Sequence, residues 1–467
     1  MAAVKYMVLA GVVATGCACA WGEGRDACNV RDFGAKGDRQ TLDHAAIQAA
    51  VDACHKAGGG TVVLPPGDYL AATIRLRSGV TLRIDKGATL WASTDPAHYG
   101  GAGRANLLVA DDAKDVAVVG AGTINGQGTA DYGSRWGAPK KPAFRTGILL
   151  FAGCHNVSVT GVTIRDSDAW TLHFKRCENV VVDRVTIRNN YRRLNSDGID
   201  PNSCKHVRIT NCDIRAGDDC IVLKTTEPYP CEDVVVRDCV LESAASAIKL
   251  GTESHGDFRD IVFENCVIRN SFTGIGFYLK DGGTMERVRF RNISIETPPK
   301  GVRTVTPVFL DIERRHKDSK AGTIRDVTFE NLDVRSGSGI LIQGMPESPI
   351  QDLALRNVRF RVEKADDYSD RKKPVGGRRT LSDQRDTCYA RLPSYVTLAH
   401  VKGLVLENVE VTVSAQACGE YDRSAVCVRA LDGGVLRRVV RRPPPQSGQM
   451  AAIDIQDCRN VRVENAR

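Results

Sequence analysis

A short pattern of alternating apolar residues recurs along most of this chain. Each copy usually begins with an Asn or Asp, continues with alternating Val, Ile or Leu, and ends in a second short alternating run. The copies start at Asp115, Asn156, Asn179, His206, Asp233, Asp260, Arg287, Asp326, Asp352, Gly403 and Asn460. Through the centre, successive copies are 23 and then 27 residues apart. Alternation of this length predicts short β-strands.

The period of the repeat indicates how these strands assemble. It is too short for a propeller blade, and a leucine-rich repeat would need a Leu-x-x-Leu-x-Leu rhythm with a helix in each repeat. We therefore predict an all-β solenoid, a single-stranded parallel β-helix, in which each strand pairs with its counterpart one coil away. The inward apolar side chains then stack into one continuous core.

The first part of the repeat region predicts a cap for the open end of the solenoid. Apolar residues at helical spacing, including Ile47 and Val51, predict one helix that runs through Cys54, with Thr41 as its capping residue. The glycines at 58–60 end this helix, and a strand follows. A repeat stack needs such a cover because its terminal coil otherwise exposes core residues.

The amino terminus is typical of an export signal. Residues 1–20 combine an early lysine, a short apolar run and an Ala-Cys-Ala cleavage pattern. Lipid attachment at Cys17 is the alternative. No segment is apolar for long enough to span a bilayer. We therefore expect a secreted or periplasmic protein.

The remainder, residues 21–467, is expected to form a single β-helix domain and to act as a monomer. Two gaps interrupt the repeat and predict loop insertions near 297–322 and 363–399. Composition adds few constraints. The net charge of +8 is scattered, so no basic stripe for nucleic acid is present.

Several of the sixteen cysteines follow the repeat as well. Cys212, Cys239 and Cys266 are 27 residues apart, which places them at equivalent positions on successive coils. A stacked, buried cysteine usually acts as a small hydrophobic residue. Disulfides between neighbouring coils remain an alternative, because the spacing of paired strands lies within disulfide range.

Candidate chemistry is concentrated in two motifs, NSDGID at 195–200 and GDDC at 217–220. Alignment of the isoleucines that follow, Ile199 and Ile221, places Asp197 and Asp219 at equivalent positions on adjacent coils. Asp218 directly precedes Asp219. Since a regular strand would point Asp219 to the core side with Ile221, we predict a bend or bulge at the start of this strand.

Three crowded carboxylates repel one another, so one of them takes up a proton. A glycosidase uses this division: one protonated carboxyl donates to the leaving oxygen, and an ionised one activates water. A bound cation, a capped turn or a solvated acidic ridge is the structural alternative.

Further along the chain, SAIKLGTES at 246–254 and YLK at 278–280 complete a series of motifs in a characteristic order. With NSDGID and GDDC, this series resembles glycoside hydrolase family 28, which includes polygalacturonases and rhamnogalacturonases. The resemblance extends from FGAKGD at 33–38 to about residue 296. It implies a right-handed parallel β-helix and hydrolysis with inversion.

Carried over by motif, the resemblance implies roles for five residues. Asp218 is the expected general acid, and Asp197 and Asp219 are expected to activate water. Asp200, the last residue of NSDGID, is expected to hold the site and contact substrate. Lys280 matches a substrate-binding lysine of the family. The resemblance implies no metal and no cofactor.

Two departures from the family pattern bear on specificity. Ala245-Ser246-Ala247 replaces a Gly-His-Gly, and Tyr278 replaces an arginine that binds a galacturonate carboxylate in the family. We therefore expect cleavage of a pectin-type poly- or oligosaccharide, with exo action or another pectic sugar left open.

Other side chains near these motifs are candidates for substrate binding. Lys249, with Lys224 and Lys280, forms a basic cluster for an acidic sugar; salt bridges to the aspartates are the equal alternative. Trp170 and His173 form either a sugar platform or part of the core. Glu253 and His255 lie in a predicted turn near the site.

Two other functions fit the same fold. A polysaccharide lyase would use the aspartates to hold calcium and a basic residue to remove a proton. A non-catalytic carbohydrate-binding β-helix would not need the aspartates for its function.

Overall fold

The chain folds into the parallel β-helix that the repeat predicted. The computed structural model describes residues 27–101, 103–132, 142–297, 305–316, 318–363, 394–417, 422–444 and 450–467. The predicted signal peptide and Cys17 lie outside the described residues. Paired strands run parallel and come from successive coils. Within the described residues, no helix has both the length and the apolar character that a membrane crossing requires.

Each coil has three strands, which pair from coil to coil to form three faces. Face 1 contains β1 (Cys28–Asn29), β3 (Gly60–Leu64), β6 (Val80–Ile84), β9 (Lys114–Gly120), β12 (His155–Thr160), β15 (Glu178–Asp183), β18 (Lys205–Thr210), β21 (Cys231–Arg237), β24 (Phe258–Glu264) and β35 (Arg459–Glu464). Face 2 contains β2 (Asp38–Leu42), β4 (Gly67–Ala71), β7 (Ala88–Ala92), β10 (Thr123–Asn125), β13 (Thr163–Arg165), β16 (Thr186–Arg188), β19 (Asp213–Ala216), β22 (Val240–Ser243) and β25 (Val267–Ile268). Face 3 contains β5 (Ile74–Arg75), β8 (Arg104–Asp111), β11 (Arg145–Ala152), β14 (Leu172–Lys175), β17 (Ile199–Asn202), β20 (Ile221–Thr225), β23 (Ser246–Ser254), β26 (Thr273–Leu279), β28 (Thr306–Ile312), β30 (Ile340–Gln343) and β34 (Ile453–Gln456).

In the later coils the strands merge across corners. Three long strands cover faces 1 and 2: β27 (Thr284–Glu296), β29 (Thr323–Ser336) and β31 (Ile350–Val362). Two more, β32 (Ser394–Val413) and β33 (Ser424–Arg442), continue around all three faces. The repeat motifs thus correspond to faces 1 and 2, and face 3 carries the more variable third strand.

The polar residue that opens each repeat has a conformational role. Asn156, Asp233 and Asn460 have positive φ values of 56°, 51° and 57°. Asn and Asp enter this left-handed region more readily than most residues with a side chain. The repeat begins with them because the chain bends there onto face 1.

A ladder of asparagine side chains marks the corner between faces 1 and 2. From Asn292 onward, the Nδ2 of each residue donates to the Oδ1 of the asparagine one coil before it, at 2.9–3.0 Å. The ladder contains Asn265, Asn292, Asn331, Asn357 and Asn408. These bonds tie successive coils together at a solvent-exposed corner.

The core is a stack of equivalent side chains from successive coils. Phe263, Phe290 and Phe329 are stacked with ring centroids 5.1 and 4.9 Å apart. Cys212 and Cys239 are buried on neighbouring coils, and all the cysteines in the described residues are free thiols. The described cysteines therefore act as small core residues.

The predicted capping helix is present as α1 (His44–Lys56), which packs its buried face against the first coils. Two short 3-10 helices, Val30–Phe33 and Pro96–Tyr99, are also present. The prediction of Thr41 as the helix cap is wrong. Thr41 lies in β2, where its hydroxyl donates to Asp38, and Asp43 precedes the helix instead.

The predicted loop bounds are too wide. Strand β28 lies inside the first predicted insertion, 297–322, and the first six residues of β32 lie inside the second, 363–399. Both segments are apolar and continue the rows of face 3, which the gap in the face 1 repeat did not reveal. Residues 298–304, 317 and 364–393 lie outside the described residues.

Candidate functional site

The two aspartate motifs meet at the corner between faces 2 and 3. NSDGID leads into β17, and GDDC connects β19 to β20 on the next coil. The N–H of Gly198 donates to the carbonyl oxygen of Asp219 at 2.9 Å, so the two segments run side by side. The sequence prediction of adjacent positions is confirmed at the level of the backbone.

The isoleucine row that aligned these motifs is present on face 3. Ile199 pairs with Ile221, Ile221 with Ile248, and Ile248 with Ile275, and all four are buried. The predicted bend is also present, because residues 217–220 lie outside any strand. Asp219 therefore does not follow the alternation of side chains in a strand, which would have pointed it to the core.

Glycines in both motifs permit the close approach of the segments. A Cβ atom on Gly198 would lie 2.4 Å from the carbonyl oxygen of Cys220. A Cβ on Gly217 would lie 2.2 Å from the carbonyl oxygen of Arg193 and 2.6 Å from the hydroxyl of Ser196. Both positions therefore require a residue without a side chain.

Asp219 is buried and held by positively polarised groups. Its Oδ2 lies 2.8 Å from the Nζ of Lys249, and its Oδ1 accepts a hydrogen bond from the N–H of Ser246 at 3.0 Å. Burial alone would raise the pKa of Asp219, but Lys249, Lys224 and these hydrogen bonds lower it below the usual value. Asp219 therefore favours the ionised form.

The pKa values of Asp197 and Asp200 are raised rather than lowered. Burial, followed by the neighbouring charges of Asp200 and Asp218, raises the pKa of Asp197 well above its usual value. Burial raises the pKa of Asp200 to about 8, although Lys224 opposes this shift. Within the described residues, neither Asp200 oxygen nor Oδ1 of Asp197 has a hydrogen-bond partner. Both carboxyls thus favour the neutral form.

Asp218 is the most accessible of the four carboxyls. It is half-buried, whereas Asp197, Asp200 and Asp219 are buried. Its Oδ2 accepts a hydrogen bond from the N–H of Asn195 at 2.9 Å, which fixes the side chain across the two motifs. Its effect on the pKa of Asp197 shows that the two carboxyls interact.

The basic side chains of the site are paired with carboxylates. The Nζ of Lys224 lies 3.4 Å from Glu253 and 4.0 Å from Asp200, and Lys280 forms an ion pair with Glu313. Burial lowers the pKa of Lys224, but the neighbouring carboxylates raise it above the usual value. The salt-bridge alternative for the basic cluster is therefore present; contact of Lys249 and Lys280 with substrate stays a prediction.

Trp170 and His173 lie on the N-terminal side of the carboxylates. Their rings are in edge contact with centroids 4.8 Å apart, and the Nζ of Lys224 is 4.9 Å from the indole centroid. Burial and nearby Arg104 lower the pKa of His173 to about 3, so this imidazole is neutral. Trp170 is only half-buried and borders the site.

Two further charged residues border the site. The guanidinium carbon of Arg104 is 5.1 Å from the centroid of Trp170, and Glu313 pairs with Lys280. Sequence analysis did not single them out, because neither belongs to a motif and both reach the site only through strand register. Of the predicted turn residues, Glu253 contacts Lys224, whereas His255 is exposed and lies 3.8 Å from Asp281.

Among the described residues, no group of three or more His, Cys, Asp or Glu side chains has an arrangement that could hold a metal ion. Ammonium groups occupy the space between the carboxylates instead. Lys249 contacts Asp219 directly, and Lys224 is beside Asp200. Such cations oppose the binding of a second cation at the same oxygens.

A family model described as glycosyl hydrolases family 28 matches residues 54–373. The match covers more than half of the 467 residues and includes both aspartate motifs. The chain belongs to glycosyl hydrolases family 28. The resemblance inferred from the motifs is thus confirmed, and the roles of individual aspartates remain predictions.

Relatives of this family 28 chain support the assignment. A probable polygalacturonase from Vitis vinifera is 31% identical over 213 residues, which cover 42% of this chain and 43% of the relative. The chain thus matches less than half the length of this curated relative.

Two solved structures have the same fold. The exopolygalacturonase from Thermotoga maritima has 25% identity and a TM-score of 0.60, and the match covers 73% of this chain and 88% of that chain. The family 28 exopolygalacturonase from Yersinia enterocolitica has 19% identity and a TM-score of 0.63, with coverage of 93% and 78%. These likenesses confirm the right-handed parallel β-helix.

Proposed function

We propose that this family 28 protein is a glycosidase that hydrolyses glycosidic bonds in pectin-type polysaccharides or oligosaccharides with inversion at the anomeric carbon. The observation that carries the proposal is the meeting of Asp197, Asp218 and Asp219 at one corner in different surroundings. Lys249 lies 2.8 Å from Asp219 and lowers its pKa, whereas Asp218 is the most accessible of the three and accepts a hydrogen bond from the N–H of Asn195. Inverting hydrolysis needs one carboxyl as proton donor and another, ionised, to activate water.

In the proposed reaction, Asp218 donates its proton to the oxygen of the leaving group. Its accessibility suits this role, because the donor must reach the scissile bond. Asp197 and Asp219 hold a water molecule on the opposite face of the sugar. Asp219, the ionised member, accepts the proton of this water as its oxygen attacks the anomeric carbon. Proton exchange with solvent then restores both groups.

The pectic substrate is inferred from the family and from the names of relatives. The relatives from Vitis vinifera, Zea mays and Thermotoga maritima are a probable polygalacturonase and two exopolygalacturonases. Tyr278 replaces the family's carboxylate-binding arginine, and its ring packs beside Phe309 with centroids 5.1 Å apart. Both side chains are buried, so this position supplies no cation for a galacturonate carboxylate. The bond cleaved need not join two galacturonates.

The lyase alternative has less support than hydrolysis. A calcium-dependent lyase needs carboxylates that are free to coordinate the ion. Here Lys249 is 2.8 Å from one oxygen of Asp219, and Lys224 interacts with Asp200. Activity that persists in excess chelator, without an unsaturated product absorbing in the ultraviolet, is the outcome that distinguishes hydrolysis.

The decisive experiment compares the wild-type protein with Asp218→Asn on galacturonan, rhamnogalacturonan and rhamnosides, by release of reducing ends. We expect Asp218→Asn to lower kcat by a factor of about 10²–10⁴, since a positioned general acid contributes this much. NMR of the first product should show the inverted anomer. Equal activity of both proteins would exclude Asp218 as the donor, and a wild-type protein that releases no reducing ends would favour a non-catalytic function.

We also propose that the protein acts outside the cytoplasm, as a monomer. The export pattern at residues 1–20 and a fold that closes its own core support this view. Cell fractionation tests the first statement, and light scattering of the purified protein tests the second. A cytoplasmic protein, or a stable dimer, would overturn the corresponding statement.

A further inference from the structure

An exposed arginine lies beside the carboxylates, on the side toward the amino terminus. Arg104 is the first residue of β8 on face 3. Its guanidinium carbon lies 5.1 Å from the centroid of Trp170. Stacking on an aromatic face restricts the guanidinium, and its N–H donors, which lie in the plane of the group, stay available.

The other cations around the site already have carboxylate partners. Lys249 pairs with Asp219, Lys224 with Glu253, and Lys280 with Glu313. Arg145, the residue paired with Arg104 in the strand register, is also engaged; it donates to the carbonyl oxygens of Asp168 and Leu194.

Arg104 differs from these cations. Among the described residues, no carboxylate lies within ion-pair distance of its guanidinium. Asp200 and Asp197 nevertheless interact with it electrostatically, which shows that it is near them. Partial burial and Arg145 lower the pKa of Arg104, but the group stays protonated at neutral pH.

The strand register places Arg104 three strands away from Asp197 and Asp200 on face 3. Strands β8, β11, β14 and β17 are successive neighbours on face 3. Three strand spacings amount to about 14 Å, and the long arginine side chain covers part of this distance. A chain of sugars bound along the coils would therefore pass Arg104 on the N-terminal side of the unit that is cleaved.

We propose that Arg104, held by Trp170, is a specificity-determining residue that binds the carboxylate of a uronic acid unit on the N-terminal side of the aspartates. The inference rests on the proposed function. A guanidinium binds a carboxylate through two parallel N–H···O bonds, which an esterified acid cannot form equally well. Arg104 would thus bind a substrate carboxylate from the side of the site opposite Tyr278, which replaces the family's carboxylate-binding arginine.

The test measures binding of trigalacturonate and of its fully methyl-esterified form by calorimetry. The proteins compared are Asp218→Asn, which avoids turnover, and the double variants that add Arg104→Gln or Arg359→Gln. Arg359 is an exposed arginine on β31, far along the coil, and its removal changes the net charge equally. Circular dichroism confirms that each variant is folded.

We expect Arg104→Gln to weaken binding of the acid at least about tenfold, since it removes a charge-assisted contact. The affinity of Arg104→Gln for the methyl ester should change less than about twofold, and so should the affinity of Arg359→Gln for the acid. Equal weakening for acid and ester, or no change for either, overturns the inference. Because the binding measurement does not depend on turnover, a wild-type protein without hydrolase activity would refute the proposed function but not the inference about Arg104.

Discussion

The buried ion pair between Lys249 and Asp219 makes a prediction about pH dependence. Lys249→Met keeps the length of the side chain and removes the charge that lies 2.8 Å from Oδ2 of Asp219. Burial then acts on Asp219 with less opposition, and the pKa of Asp219 should rise. A neighbouring opposite charge typically shifts an aspartate by about 1–3 pH units, which corresponds to about 1.4–4 kcal/mol.

The assay is the pH profile of kcat/KM on the best pectic substrate. If Asp219 must be ionised to accept the water proton, the acid limb of the profile should move up by about 1–3 pH units. Lys249→Arg should restore most of the wild-type profile because it retains the charge. Lys205→Met is the matched control, since Lys205 forms an equally short but exposed pair with Glu232 on face 1.

Lys249→Met also tests how the pKa of Asp219 affects the stability of the fold at different pH values. A carboxyl whose folded pKa is lowered stabilises the protein above its unfolded pKa, and this stability is lost as pH falls through the folded pKa. The melting temperature of Lys249→Met should therefore fall more near neutral pH than near pH 3. An acid limb that stays in place, or moves to lower pH, would refute the reasoning about Asp219.

Two further predictions concern the same corner. Asp200→Asn should raise the melting temperature relative to wild type near pH 8. The folded pKa of about 8 means that the wild-type protein loses stability as pH rises from about 4, because the unfolded chain releases the Asp200 proton more readily than the folded one. Thermal unfolding at pH 4 and pH 8 checks this, and a difference in melting temperature between the two proteins that is the same at both pH values contradicts it. Gly217→Ala should cost about 1–3 kcal/mol and most of the activity, since its Cβ would lie 2.2 Å from the carbonyl oxygen of Arg193. Urea unfolding checks this cost against Gly103→Ala, where the nearest atom is 3.5 Å away and little loss is expected.

The sequence was sufficient for the coil and for the meeting of the two motifs. Residues such as Asn156 and Asp233 revealed the period because each coil needs a bend there, and few other residues adopt positive φ easily. The isoleucine row revealed the register of face 3, because a period of two fixes which side chains point inward. Asp197 and Asp219 could therefore be placed on adjacent coils without coordinates.

The sequence did not reveal which charges neutralise one another. Arg104 and Arg145 are 41 residues apart and pair only through the strand register. Glu313 reaches Lys280 from a coil whose strand was mistaken for a loop, because the long gap in the face 1 repeat concealed it. Such contacts depend on side-chain direction and burial, which no local motif encodes.

The asparagine ladder has a consequence for how this architecture can vary. Asn357 and Asn408 are bonded at 2.9 Å, as closely as Asn331 and Asn357, although 51 rather than 26 residues separate them along the chain. In the sequence, the extra residues lie between the end of β31, on face 2, and the start of β32, on face 3. That is the corner at which the aspartates lie on earlier coils. New segments can therefore be inserted at this corner while the scaffold keeps its spacing.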